Sequence, residues 1–237
     1  MTPLTQHEPT PGTGRVRAGI LDSLGVGLGI FPLGIALGVL VTQAGLPWWL
    51  APALSIGIFA GSVELLMVSL IAASTPLLTI AVTVFALNFR HVFYPLSFPL
   101  QVVKPGIGRA YSIYALIDEA YATYVLMPVE KLSSTRMLTG QFLMQAYWVA
   151  GGLIGVLLAS LLPEPIEGFE FALVALFIVM ALDAARSRRE IPSVVLAGLA
   201  VTIAMLGFPE GQVLAALVIF TALLVGRYFW ERRRAGA

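Results

Sequence analysis

Eight apolar runs set the limits on what this chain can fold into. They lie at roughly 19–42, 50–73, 76–100, 111–128, 139–162, 169–185, 191–207 and 211–229. Helices rise about 1.5 Å per residue, so runs of about 17 to 25 residues are long enough to cross about 30 Å of hydrocarbon. The runs are continuously apolar rather than alternating, which does not fit the strands of a membrane barrel. Charged residues make up 11% of the chain, less than half the roughly 25% of an average soluble domain. The expected fold is all-α: a polytopic membrane protein of about 7–8 transmembrane helices, with the lipid bilayer as its solvent.

Charge between the runs gives an orientation. Arg15 and Arg17 precede the first run, Lys131 and Arg136 precede the fifth, RSRRE (186–190) follows the sixth, and RYFWERRR (227–234) closes the chain. The turns PEPIEGFE (163–170) and FPEG (208–211) are acidic. Basic loops stay on the cytoplasmic side, so both termini are expected there, with an even number of spans. Eight spans put Lys104 and Arg109 on the wrong side. Either 50–73 or 76–100 is then a broken or re-entrant pair, and the prolines at 95 and 99 point to a break near 88–99. Residues 1–18, polar and proline-rich, lack the short apolar core of a signal peptide. They are expected to form a disordered cytoplasmic tail, ahead of a single transmembrane domain at 19–229 and a basic cytoplasmic tail at 230–237.

Several chemistries are excluded. The chain has no cysteine and only two histidines, His7 and His91, so thiolate catalysis and cysteine- or histidine-rich metal centres are not expected. No cofactor and no nucleic-acid partner are expected. GxSxG and HExxH are absent, so an enzyme is not expected.

The polar residues inside the runs carry what remains. Gly25/Gly29, Gly34/Gly38 and Gly57/Gly61 repeat at four-residue spacing, which lets helix backbones approach closely. Pro32 removes a helix hydrogen bond and predicts a kink. Glu64, in IFAGSVELLMVSL, lies about 20 Å into its run. At that depth a carboxylate must be protonated, paired or facing water, and a neutral acid bonded to a neighbouring helix satisfies the same constraint. Asn88, Arg90 and His91 stand together in ALNFRHVFYPLSF. Arg90 either snorkels to the interface or meets an anion or a partner acid inside the protein. In YSIYALIDEAYATY, Tyr114, Asp118 and Tyr121 share one face of a continuous helix, although Asp118 and Glu119 also suit the interfacial end of a short one. Gln141, Gln145 and Trp148 form a stripe that reads as interhelical glue.

FAGSVELLMVSL, then LNFRHVFYPLSF, LIDEAYATY and YWVAGGLIGVLLAS, in this order over residues 19 to 190, resemble the AzlC family of branched-chain amino-acid exporters. The departure is Glu64, which stands where that family's motif has glutamine. The resemblance implies a secondary transporter exporting leucine, isoleucine, valine or a similar apolar amino acid across the cytoplasmic membrane. It also implies a small second membrane subunit of the AzlD type, this chain being the larger half. The substrate-binding candidates are Ser62, Asn88, Arg90, His91 and Asp118. Arg90 suits the substrate carboxylate, and Glu64 or Asp118 its ammonium. The proton-coupling candidates are Glu64 and His91, whose imidazole ordinarily titrates near ~6.5. A passive channel for a small polar solute is the alternative, since it tolerates the same buried charges.

Overall fold

The computed structural model describes residues 12–162, 178, 191–208 and 212–235, with the side chains of residues 12, 90, 213, 214, 217 and 233–235 outside that set. The run at 169–185 apart from residue 178, the turn at 163–170, most of the turn at 208–211 and the RSRRE segment also lie outside it. Every regular element is helical, with no strand among the described residues. The helices are α1 (Gly12–Gln43), α2 (Leu50–Gly57), α3 (Gly61–Ala72), α4 (Leu77–Asn88), α5 (Tyr94–Ser97), α6 (Ile107–Tyr114), α7 (Asp118–Tyr124) and α8 (Ser134–Leu161), then α9 (Ile191–Gly207) and α10 (Gln212–Ala235). Two of them, Thr13–Gln43 and Ser134–Leu161, are long and apolar enough to cross a membrane. The shorter apolar helices are Gly61–Ala72, Leu77–Asn88 and Ile191–Gly207.

The chain divides into two compact units, one of residues up to 73 and 89–165, the other of 74–88 and 166–237. The first is organised on α1 and α8. An ideal Cβ on Gly19 would lie 2.5 Å from the Arg136 carbonyl, and one on Gly34 would lie 2.6 Å from that of Trp148. Further along, Gly38 abuts the Gly152 carbonyl and Gly155 the Ile35 carbonyl. Contacts advance in the same sense on both helices, so α1 and α8 run parallel with backbones nearly touching. Only glycine permits that approach. Gly34/Gly38 therefore serve the close packing that their spacing predicts. Gly25 and Gly29 do not: nothing lies within 4 Å of either Cβ position. α1 is unbroken through Pro32.

Two runs besides 76–100 are interrupted: 50–73, which the loop charges make a candidate for a break, and 111–128, which is expected to be whole. The 50–73 run breaks at residues 58–60, where Phe59 takes a φ of 47°. The 111–128 run breaks at 115–117, between α6 and α7. At 8 and 7 residues, α6 and α7 are each about 10–12 Å long, too short to cross hydrocarbon alone. The 76–100 run is also broken, as expected: α4 ends at Asn88, a 3₁₀ turn covers Phe89–Val92, and α5 follows.

In the second unit α9 pairs with α10. Arg227 Nη1 donates to Ser193 Oγ at 2.9 Å, which puts the start of α9 beside the end of α10. Ala200 and Ala204 fill the buried face of α9. Arg227 also pairs with Glu231 one turn on, at 2.7 Å.

Candidate functional site

Breaking a helix at depth exposes backbone groups that lipid cannot satisfy. Here the Gln141–Gln145–Trp148 stripe of α8 answers them. Gln141 Nε2 donates to the carbonyls of Ser112 and Ala115, at 2.9 and 3.1 Å, at the end of α6. Gln145 accepts from the Tyr111 hydroxyl at 2.9 Å and donates to that of Tyr114 at 2.8 Å. The Tyr114 hydroxyl in turn donates to the Ile56 carbonyl at the end of α2, at 2.5 Å. Gln145 also lies 3.4 Å from the Ser55 carbonyl. Tyr114 thus joins the two breaks directly, and its ring lies 6.1 Å from that of Phe59. The expected interhelical glue is a bracket for interrupted helices.

Glu64 occupies the first turn of α3 rather than the middle of a span, and it is fully buried. Its Oε1 accepts the Ala60 backbone N–H at 2.9 Å. Its Oε2 accepts the Ser55 hydroxyl at 2.8 Å and the Trp148 indole N–H at 2.9 Å. The side chain thereby satisfies a free amide at the N-terminus of its own helix, where the helix dipole also favours negative charge. Among the described residues no arginine, lysine or histidine forms an ion pair with it. The Trp148 ring also packs on Gly61, whose Cβ would fall 2.9 Å away. Along α8, Trp148 is about 18 Å from Arg136, so Glu64 sits deep in the unit.

A second cluster forms where the broken 76–100 run meets α7. The Tyr94 hydroxyl donates to Asp118 Oδ1 at 2.6 Å, and His91 Nε2 lies 3.7 Å from the same oxygen. Tyr94 stacks on Tyr121 at 4.3 Å, and the Tyr121 hydroxyl shares a hydrogen bond of 2.7 Å with Ser97. Unlike Glu64, this pair reaches the surface, with side chains 28% exposed for His91 and 38% for Asp118.

The structure therefore brings His91 and Asp118 together and places Glu64 in a network of its own. Ser62 is half-buried on the first turn of α3, two residues before Glu64. Asn88 ends α4. Arg90 belongs by its backbone to the Phe89–Val92 turn, and the expected pairing of its guanidinium lies outside the described residues. The shared helix face of Tyr114, Asp118 and Tyr121 is lost, because the break at 115–117 sends Tyr114 to the Glu64 side and Asp118 to His91. Sequence reasoning missed Ser55 and Tyr94 as partners of the two acids. It also missed Asp22, which takes Arg136 in a two-pronged pair, Nε to Oδ2 at 2.6 Å and Nη2 to Oδ1 at 2.7 Å. An acid in the first run and a base at the head of the fifth were the available signal.

The sequence profile of the AzlC protein family matches residues 25–162, more than half of the chain. The chain belongs to the AzlC family. The branched-chain amino acid transport protein AzlC of Bacillus subtilis is 31% identical over 158 residues, covering 65% of this chain and 62% of the relative. The inner membrane protein YgaZ of Escherichia coli is 27% identical over 228 residues, covering 92% and 89%. A membrane protein of Helicobacter pylori is 28% identical over 163 residues, covering 68% and 72%. No solved structure matches the chain. The part matched to AzlC contains both helix breaks, the Glu64 network and the His91–Asp118 pair, and leaves α9 and α10 outside. As an AzlC protein the chain is a helical membrane transporter, and its chemistry is to be sought within that part.

Proposed function

We propose that this chain is a secondary carrier exporting branched-chain or similar apolar amino acids across the cytoplasmic membrane, as the large subunit of a two-component carrier with a small AzlD-type partner. Membership of the AzlC family and the name of the Bacillus subtilis relative support the substrate class. The observation that carries the reading is the pair of breaks, at 58–60 and 115–117, joined through Tyr114 and Gln145. Irregular backbone at such depth persists only inside protein or beside a water cavity, and carriers bind substrate at such interruptions.

Roles follow from accessibility. Asp118, partly exposed and held by Tyr94 and His91, takes the substrate ammonium. Glu64, fully buried with both oxygens occupied, is the proton-coupling acid rather than a substrate contact, and His91 is the second proton-coupling candidate. Arg90, with its planar fork, takes the carboxylate, and Asn88 and Ser62 are the remaining substrate-binding candidates. The residues 1–18 and 230–237 lie in the cytoplasm on either side of the transmembrane domain.

Leucine counterflow in proteoliposomes tests the reading. A carrier loaded with unlabelled leucine transiently concentrates labelled leucine when the small partner is present. Flux without any overshoot belongs to a passive pore and overturns the proposal.

A further inference from the structure

The three donors around Glu64 are not equivalent. The Trp148 indole and the Ala60 amide can only donate, whereas the Ser55 hydroxyl can donate or accept. Suppose a proton from water binds Oε2. The new O–H then points at Ser55 Oγ across the same 2.8 Å, while Oε2 still accepts the indole at 2.9 Å and Oε1 still accepts the Ala60 amide at 2.9 Å. The Ser55 proton must then turn to another acceptor, and a carbonyl one helical turn back is the ordinary one for a serine within a helix. Release returns one proton to water, and no other bond changes. Both charge states of Glu64 keep the same three partners, and only the direction of the Ser55 bond reverses.

We propose that Ser55 and Trp148 are positioning residues for Glu64: Trp148 is the fixed partner and Ser55 the two-way partner that lets the buried acid gain and lose a proton in place. This rests on reading Glu64 as the coupling acid, but it is tested separately. The titratable groups facing the network are Tyr111 and Tyr114 from α6, while Tyr147 on α8 is turned against Gly27 of α1. α2, α3 and the half of α1 beyond Phe31 bring no other titratable side chain. Phenols ordinarily titrate near ~10, so the acid is followed between pH 5 and 8.5.

The chain has four tryptophans, and W48F/W49F/W230F leaves Trp148 as the only indole. Its emission should follow a one-proton curve that is absent when Glu64→Gln is added. Ser55→Ala should raise the midpoint by up to about one pH unit, because the bond Ser55 donates to the carboxylate is about twice as strong as the one it accepts from the neutral acid, and Ser55→Thr, which keeps the hydroxyl, should restore it. Should the triple variant fold poorly, the difference between full-length wild type and Trp148→Phe gives the same signal. Emission independent of pH, an unchanged curve with Glu64→Gln, or a wild-type curve with Ser55→Ala overturns the proposal. A titrating indole in a protein whose Glu64→Gln variant keeps gradient-driven transport would leave the positioning intact and remove the coupling. A flat indole with transport uncoupled by Glu64→Gln would do the reverse.

Discussion

At the scale of single residues, the environment of Glu64 fits a carboxylate better than an amide. Glutamine presents one oxygen and one NH₂, so either orientation sets its NH₂ against an obligate donor, the Trp148 indole or the Ala60 amide. Glu64→Gln should therefore lower stability by about 1–3 kcal/mol, the cost of one buried unpaired donor. Thermal unfolding of the purified protein in detergent checks this, and no loss would mean that the network relaxes around the amide. The Asp22–Arg136 pair makes a parallel case. Arg136→Lys cannot reproduce two parallel bonds, and a loss of about 1.5–3 kcal/mol is expected, read by the same unfolding curve. The same forked geometry governs Arg90. Transport lost in Arg90→Ala should not return in Arg90→Lys at equal expression; wild-type transport by the lysine variant would assign Arg90 to snorkelling.

At the scale of elements, the parallel seam of α1 and α8 is where the backbones of the first unit pack closest. A side chain at Gly38 would strike the backbone of Gly152 and Val156, which belongs to a packed helix and cannot swing aside. Gly38→Leu should abolish folded expression, whereas Gly29→Leu, which meets open space, should leave monodisperse protein by size exclusion. Equal behaviour of the two would contradict the seam. The same elements explain what the sequence disclosed. Hydropathy reports length, so the runs that became α1 and α8 were legible at once. It is blind to the breaks, because Ile58, Phe59 and Ala60, like Ala115, Leu116 and Ile117, are as apolar as the helices they separate. Their cause is tertiary: Gln141, Gln145 and Tyr114 satisfy groups that a continuous helix would have bonded itself. One local hint existed, since Asp118 and Glu119 are the acids expected in the first turn of a new helix. The pairing of His91 with Asp118 was not readable, because it joins segments across the chain.

At the scale of the whole molecule, the chain leaves much apolar surface exposed. On α1, Leu21, Leu24 and Leu28 are 58%, 48% and 80% exposed beside the open Gly25 and Gly29. In a bilayer such a face meets lipid or another helix. The two-component reading predicts that vesicles holding this chain alone do not export leucine and that adding the small subunit restores export. Robust export by the chain alone would contradict it. Coupling of transport to protons by a buried acid at the meeting of two broken helices has a more direct test. Wild type and Glu64→Gln, reconstituted with the small subunit at equal amounts of folded protein, are compared in the same vesicles for leucine exchange and for accumulation driven by a pH gradient. The variant should still exchange leucine but no longer accumulate it against the gradient. Accumulation at the wild-type level with an unchanged pH profile would contradict that coupling.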